Sequence, residues 1–403
     1  MIVPNIFIIF ASNIGEMVEK KPLKIVYCAS ALYMAGGEER VLTLKANYLA
    51  DVLGYDVTII LTEGKGRPLF YELSDKVKIV NLDINFEELW NCSFIKKILV
   101  YLKKQRINKR LLTEELMCLQ PDITVSLLRR EINFLCDIPD GSLKVGEMHI
   151  NRANYRSYDG TNIFKRVFSW LWKLNLLGKL RKLDKFVVLT DADRLAWKEL
   201  DNVVTIPNPL PFRPDATAGN REKRIIVVGR YSYEKGFDLL LQVWSIVQGA
   251  CPDWRLEVFG DGDREPYEQM IKELNIDPQR CILNGRTSNI QEEYAKSMLS
   301  VCTSRFEGFG LVIVEAMACG LPVVAFNCQY GPSSIITDGV DGLLIKNGNV
   351  QAMANALISL MSNEEVRCQM SKKALEKVND FKLESIMERW RLLFEEVCSQ
   401  SCS

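Results

Sequence analysis

Two acidic residues, Glu307 and Glu315, stand eight positions apart in Arg305-Phe306-Glu307-Gly308-Phe309-Gly310-Leu311-Val312-Ile313-Val314-Glu315-Ala316-Met317. The first lies in a loop broken by Gly308 and Gly310, and the second in an apolar run that reads as helix. Glycines at a helix start leave backbone N–H groups bare and outward-facing, a form of backbone that holds phosphate without a metal. At about 1.5 Å of rise per residue, Glu315 falls roughly one to two turns into that helix. One carboxylate then flanks each side of a bound phosphate. Two acids that seek hydroxyls, with a phosphate seat between them, describe a nucleotide-sugar site. The spacing alone also fits a loop acid and a helix acid with separate structural jobs.

Further candidates lie at predicted strand ends. Gly229-Arg230 closes a strand, and Glu234-Lys235-Gly236 opens the next helix. Ligands of open α/β sheets collect at such carboxyl ends. Arg230 and Lys235 would set two cations against a diphosphate, the arginine bidentate and the lysine as a point charge. Gly36-Gly37 is a second bare-backbone turn without the spacing of a dinucleotide fingerprint. By itself it fits a plain tight turn as well as a phosphate contact. His149, the only histidine, follows a predicted strand in Gly146-Glu147-Met148-His149-Ile150-Asn151. There it is placed either as a structural imidazole or to meet a sugar hydroxyl or move a proton. Glu147 and Asn151 have no assigned role. Asp191-Ala192-Asp193 and Asp261-Gly262-Asp263 both spell D-x-D, and turn chemistry accounts for them better than chelation.

The elements that must position these residues form two α/β series. Strands are expected at 23–29, 57–61, 77–82, 123–127, 143–146 and 186–189, alternating with helices. A second series has strands at 224–229, 256–259, 281–283, 299–303, 322–326 and 342–345. Alternation of this kind argues parallel, doubly wound sheets. Between the two, Val204 to Pro214 contains four prolines and reads as a linker. Residues 1–205 and 206–382 are therefore expected as two Rossmann-like domains facing a cleft. The last helix, within residues 383–403, is expected to cross back to the first.

Bulk properties narrow the function classes. A length of 403 residues suits two domains. Lysine plus arginine and aspartate plus glutamate both count 51, so no global field draws in nucleic acid. The twelve cysteines are scattered without a Cys-x-x-Cys pair, which points to a reducing, cytoplasmic setting and away from a structural metal. The apolar run Ile6 to Phe10 is too short to span a bilayer, and a true start near Met17 is expected. Two segments are basic and apolar together. Phe94 to Leu112 carries Lys96, Lys97, Lys103, Lys104, Arg106, Lys109 and Arg110 without an acid, and Ile163 to Lys185 carries Trp170 and Trp172 among further bases. Each fits an anionic membrane surface or an ordinary solvated helix face.

Taken together, Val228-Gly229-Arg230, Glu234-Lys235-Gly236, Phe259-Gly260-Asp261-Gly262, Ser304 to Gly310, Glu315-Ala316-Met317, Gly331-Pro332 and Asp341-Gly342-Leu343-Leu344 resemble the family 4 retaining glycosyltransferases of the GT-B fold. The first half shares only Gly36-Gly37, His149 and Ile206-Pro207-Asn208-Pro209. Bacterial enzymes that extend undecaprenyl-linked, capsular or lipopolysaccharide oligosaccharides look most similar, including the α-1,4-N-acetylgalactosaminyltransferase type. The resemblance implies an N-terminal acceptor domain, a C-terminal donor domain, a nucleotide-diphosphate sugar (UDP-linked) as donor, a glycan or polyprenyl-linked acceptor, and neither metal nor cofactor. It implies that Arg230 and Lys235, beside Gly229, bind the donor diphosphate. Glu307 meets sugar hydroxyls, and the amides of Gly308, Phe309, Gly310 and Leu311 lie near sugar and phosphate. Glu315 holds the ribose, Gly36 and Gly37 approach the phosphates, and His149 contacts the sugar near the reacting carbon. A nucleotide-sugar epimerase and a non-catalytic nucleotide-sugar receptor are the alternatives.

Overall fold

The structure, a computed structural model, describes residues 21–91, 93–153, 155, 173–212 and 221–400. Ile6 to Phe10, Met17, Trp170 and Trp172 lie outside the described residues.

The first sheet contains β1 (Lys24–Ala29), β2 (Asp56–Leu61), β3 (Lys78–Asn81), β4 (Ile123–Ser126), β5 (Leu143–Glu147), β6 (Lys185–Val188) and β7 (Val203–Thr205), in the order β3-β2-β1-β4-β5-β6-β7. The second contains β8 (Arg224–Val228), β9 (Arg255–Phe259), β10 (Cys281–Asn284), β11 (Leu299–Cys302), β12 (Val323–Asn327) and β13 (Gly342–Lys346), in the order β10-β9-β8-β11-β12-β13. Their ladders are parallel, with Tyr27 opposite both Ile59 and Val125 in the first. In each sheet the order reverses next to the first strand, between β1 and β4 and between β8 and β11. A crevice opens at such a switch point, beyond the carboxyl ends of the strands.

Strand alternation divides the first core in two. Ile25, Tyr27, Val57, Ile59, Ile123 and Val125 share one cluster, whereas Val26, Cys28 and Ile60 pack with Leu112 and Leu116 of the helix Phe94–Leu119. The first cluster is closed by the last helix, Leu383–Gln400, through Ile386, Met387, Trp390, Leu393, Phe394 and Val397. Spacings of three and four residues place these six on one helix face. Burying each of Ile386, Met387, Leu393 and Phe394 contributes about 1.5–3 kcal/mol. Lys185 on β6 also reaches Glu396 of this helix at 2.6 Å.

Two local expectations change. Val204 and Thr205, read from the prolines as linker, end a three-residue strand, because Val203, Val204 and Thr205 pair with Phe186, Val187 and Val188 before the first proline stops the ladder. The basic segment read to Leu112 is a 26-residue helix reaching Leu119, where Gln120 turns left-handed at φ 47° ahead of Pro121. Lys104 does not belong to its solvent face, since its ammonium donates to the carbonyls of Ile84 and Asn85.

Candidate active site

The loop after β11 carries Glu307 into the crevice and then starts the helix Leu311–Ala318. Gly310 makes that entry at φ 102°, a conformation that side chains rarely adopt. Phe309 is buried with its ring 5.6 Å from that of Phe381, so it anchors the loop and leaves only its backbone to a ligand. Glu315, the fifth residue of the helix, is 4% exposed and takes a 3.3 Å hydrogen bond from the Tyr294 hydroxyl. Glu307 accepts from Lys235 Nζ at 2.6 Å and from Ser304 Oγ at 2.7 Å on the same oxygen. Lys235 arrives on the short turn after β8, which closes at Gly236 against Thr303. A Cβ on Gly236 would stand 2.3 Å from the Thr303 carbonyl oxygen, so glycine is required there. Burial works against the Lys235 ammonium, but Glu307 more than offsets it and holds the lysine above its ordinary range. Arg230, one residue beyond Gly229, is exposed.

The opposite wall comes from the first sheet. Gly36-Gly37 leads into the helix Gly37–Asp51, and Gly37 faces Leu311 of the second half. The carboxylate of Glu39 folds back over Gly36, occupying the space of a Cβ there. One residue on, Arg40 Nη1 donates to Glu315 Oε1 at 2.7 Å. Burial pushes the Glu315 carboxyl up, and Arg40 and Tyr294 offset this only in part. The β5 end supplies His149, whose backbone carbonyl oxygen lies 2.2 Å from where a Cβ on Gly308 would be. Asn151 crosses the crevice, its amide donating to the carbonyls of Glu307 at 2.9 Å and Gln329 at 3.4 Å.

Behind His149 lies a buried charge chain. His149 Nε2 is 3.3 Å from Glu147 Oε1, and Glu147 Oε2 accepts from Lys45 Nζ at 2.5 Å. The Lys45 ammonium sits 3.6 Å from the Trp390 ring centroid. Burial alone would raise the Glu147 carboxyl, yet Lys45 and His149 hold it at about 2.

The structure thus brings Gly36, Gly37, His149, Gly229, Arg230, Lys235, Glu307, Gly308, Phe309, Gly310, Leu311 and Glu315 to the facing strand ends of two sheets. Each D-x-D carboxylate takes a local hydrogen bond. Asp193 accepts from Arg152 N, Asp191 from Thr205 Oγ1, and Asp261 and Asp263 cap the Gly262 and Glu265 amides. Among the described residues, no three His, Cys, Asp or Glu side chains gather into a metal site. Arg40, Lys45, Asn151 and Tyr294 enter the site from positions that motif spacing does not single out. Two of them left a signal, Lys45 as a lysine within the buried stripe of Leu42, Ala46 and Leu49, and Asn151 as a close neighbour of His149.

Residues 212–377 match the family described as glycosyl transferases group 1. Over 376 residues the chain is 31% identical to an uncharacterized glycosyltransferase of Haemophilus influenzae, covering 91% of this chain and 99% of the other. The chain belongs to the group 1 glycosyltransferases. This glycosyltransferase is also 24% identical over 382 residues to a Campylobacter jejuni α-1,4-N-acetyl-D-galactosaminyltransferase named for an undecaprenol-diphosphate-linked GalNAc acceptor, covering 93% and 99% of the two chains. Its fold superposes on Staphylococcus aureus TarM, solved with fondaparinux, α-GlcNAc-glycerol and UDP, with a TM-score of 0.74 at 19% identity over 92% and 99% of the chains. The two facing sheets are those of the GT-B fold. The epimerase reading finds no counterpart among these relatives.

Proposed function

We propose that this glycosyltransferase moves a hexose or N-acetylhexosamine from a UDP-linked donor to a glycan or polyprenyl-linked acceptor in cell-surface polysaccharide synthesis, with retention of anomeric configuration. One observation carries the reading. Lys235, Glu307 and Glu315, buried or half-buried, stand at the carboxyl strand ends of one sheet, directly across from His149 and Arg40 of the other. The Campylobacter and Staphylococcus relatives support the acceptor and nucleotide classes.

In this reading the segment 206–382 takes the donor and 1–205 the acceptor. Arg230 and Lys235 bind the diphosphate, with the Gly308 to Leu311 backbone beside it and Gly36 and Gly37 approaching from the other wall. Glu315 holds the ribose hydroxyls, displacing Arg40. Glu307 orients the sugar, and His149 meets it near the anomeric carbon. The bond from that carbon to the diphosphate oxygen breaks, and the acceptor oxygen bonds from the same face. The departing diphosphate takes the acceptor's proton. Arg230 and Lys235 stabilise the charge that grows on the leaving group, an effect stronger in the transition state than in the bound substrate. The nucleotide sugar is a substrate, and the scheme uses no metal or other cofactor.

The helix Phe94–Leu119 supports peripheral contact with an anionic, inner-face membrane from the cytoplasm. Ile98, Leu99 and Leu102 are exposed on it beside Lys96, Lys97, Lys103 and Arg106. Among the described residues, no helix is long and apolar enough to cross a membrane. Flotation with acidic vesicles tests the contact, and absence of binding at low salt removes it.

Incubation with radiolabelled UDP-sugar, with and without a lipid-linked oligosaccharide, tests the activity. Label on the lipid is the expected result. A new free nucleotide sugar, or binding without turnover, contradicts it.

A further inference from the structure

A lysine and a glutamate paired in a protein core are not explained by stability. Removing both charges from water costs more than their attraction commonly returns, and an apolar pair of similar volume is as stable or more so. Lys45 and Glu147 form such a pair, each 1% exposed, on the helix Gly37–Asp51 and on β5. Both oxygens of the carboxylate are engaged. Oε2 takes the lysine, and Oε1 lies 3.3 Å from His149 Nε2. The ammonium in turn rests on the Trp390 face at 3.6 Å, with the Tyr27 ring at 5.4 Å. An aromatic face compensates part of a cation's lost hydration without taking its proton.

We propose that Lys45 and Glu147 are positioning residues that fix the imidazole of His149, with Trp390 of the last helix sealing the pair from behind. A carboxylate only accepts, so Nε2 carries the proton and Nδ1 is the ring nitrogen left to a substrate. The ammonium has a separate task. It pairs with the carboxylate oxygen turned away from the ring, so a change at either member of the pair is felt at the imidazole. Charged and titratable groups around the relay also include Glu39, at the entrance of the Gly37–Asp51 helix and near His149, and the Tyr27 phenol on β1 beside Lys45, which burial and Glu147 keep protonated. The catalytic meaning of the relay rests on His149 contacting the donor sugar, as proposed above; the relay itself does not.

Because His149 is the only histidine, ¹⁵N-histidine labelling gives one pair of ring signals that needs no assignment. The relay predicts opposite shifts of their titration midpoint. Lys45→Met moves it up by about one unit or more, and Glu147→Gln moves it down by a similar amount. Glu39→Gln moves it less than either. An unchanged midpoint in both folded variants of the pair overturns the relay. If either single variant fails to fold, the double variant Lys45→Met/Glu147→Met keeps the core apolar and is expected to fold. Its kcat should fall about tenfold or more with the donor KM within twofold, as for a misplaced group near the reacting atoms. A wild-type kcat in the double variant, alongside lost transfer in His149→Ala, also overturns the proposal. Opposite midpoint shifts together with full transfer by His149→Ala would leave the relay standing and remove the catalytic role of His149.

Discussion

On the second sheet's side of the cleft, Lys235 and Glu307 stand on short loops at strand ends, half-buried and paired with each other. On the first sheet's side, Lys45 and Glu147 are sunk in the core behind His149, and Arg40 reaches across to Glu315. The difference separates two uses of charge. A loop-held pair at the mouth of a crevice can exchange its partner for a ligand. A core-held pair cannot, because an unpaired charge there is left without water or counter-ion. It acts instead on the state of its neighbour. Three of the groups proposed to grip the donor are thus already paired, Lys235 with Glu307 and Glu315 with Arg40. In the proposed reading, a nucleotide sugar replaces both partnerships at once.

The largest expected effect falls on the loop-held side. Lys235→Ala should lower kcat about 100- to 1,000-fold, the range for losing one stabiliser of transition-state charge, while circular dichroism and Tm stay close to wild type. An equal loss of stability would instead make Lys235 a structural residue. Next comes Glu315→Gln. Donor-nucleotide affinity measured by calorimetry should fall about tenfold, as a charge-assisted hydrogen bond becomes a neutral one. Stability should not fall with it. Burial raises the folded carboxyl above its unfolded value, so its favourable contribution is present below the ordinary carboxylate range and lost as pH rises. A neutral amide is therefore at least as stable at neutral pH, and a large drop in Tm would break this part of the comparison.

Asn151→Ala removes the hydrogen bonds that tie the His149 segment to the Glu307 and Gln329 carbonyls. At about 1 kcal/mol for a net hydrogen bond, donor KM should rise roughly fivefold. The smallest effect lies in acid. Glu147 is depressed to about 2, so its contribution to stability is complete above the ordinary carboxylate range and is lost as pH falls through the folded value. Thermal melts between neutral pH and pH 2 should show that limb in the wild type and a flatter one in Lys45→Met/Glu147→Met.

These two kinds of site also differ in how far they can be read from sequence. The strands were legible because fully buried parallel strands are short apolar runs, and Glu307 and Glu315 because glycines bracket them within a few residues. β7 was hidden by the prolines that follow it. Arg40, Lys45 and Asn151 meet partners 275, 102 and 156 positions away, and no local pattern encodes such contacts. Lys45 interrupts an apolar helix face, which marks it as unusual without naming Glu147 as its partner. Glu147 and Asn151 flank His149 closely enough to be noticed, but their directions come from the fold.

The central claim is that Lys235 and Glu315 together grip a nucleoside diphosphate. Calorimetric titration of UDP into the wild type, Lys235→Ala and Glu315→Gln tests it most directly. Saturable binding to the wild type and at least a tenfold loss in each folded variant, about 1.4 kcal/mol, are expected. Equal UDP affinity in all three proteins would contradict it.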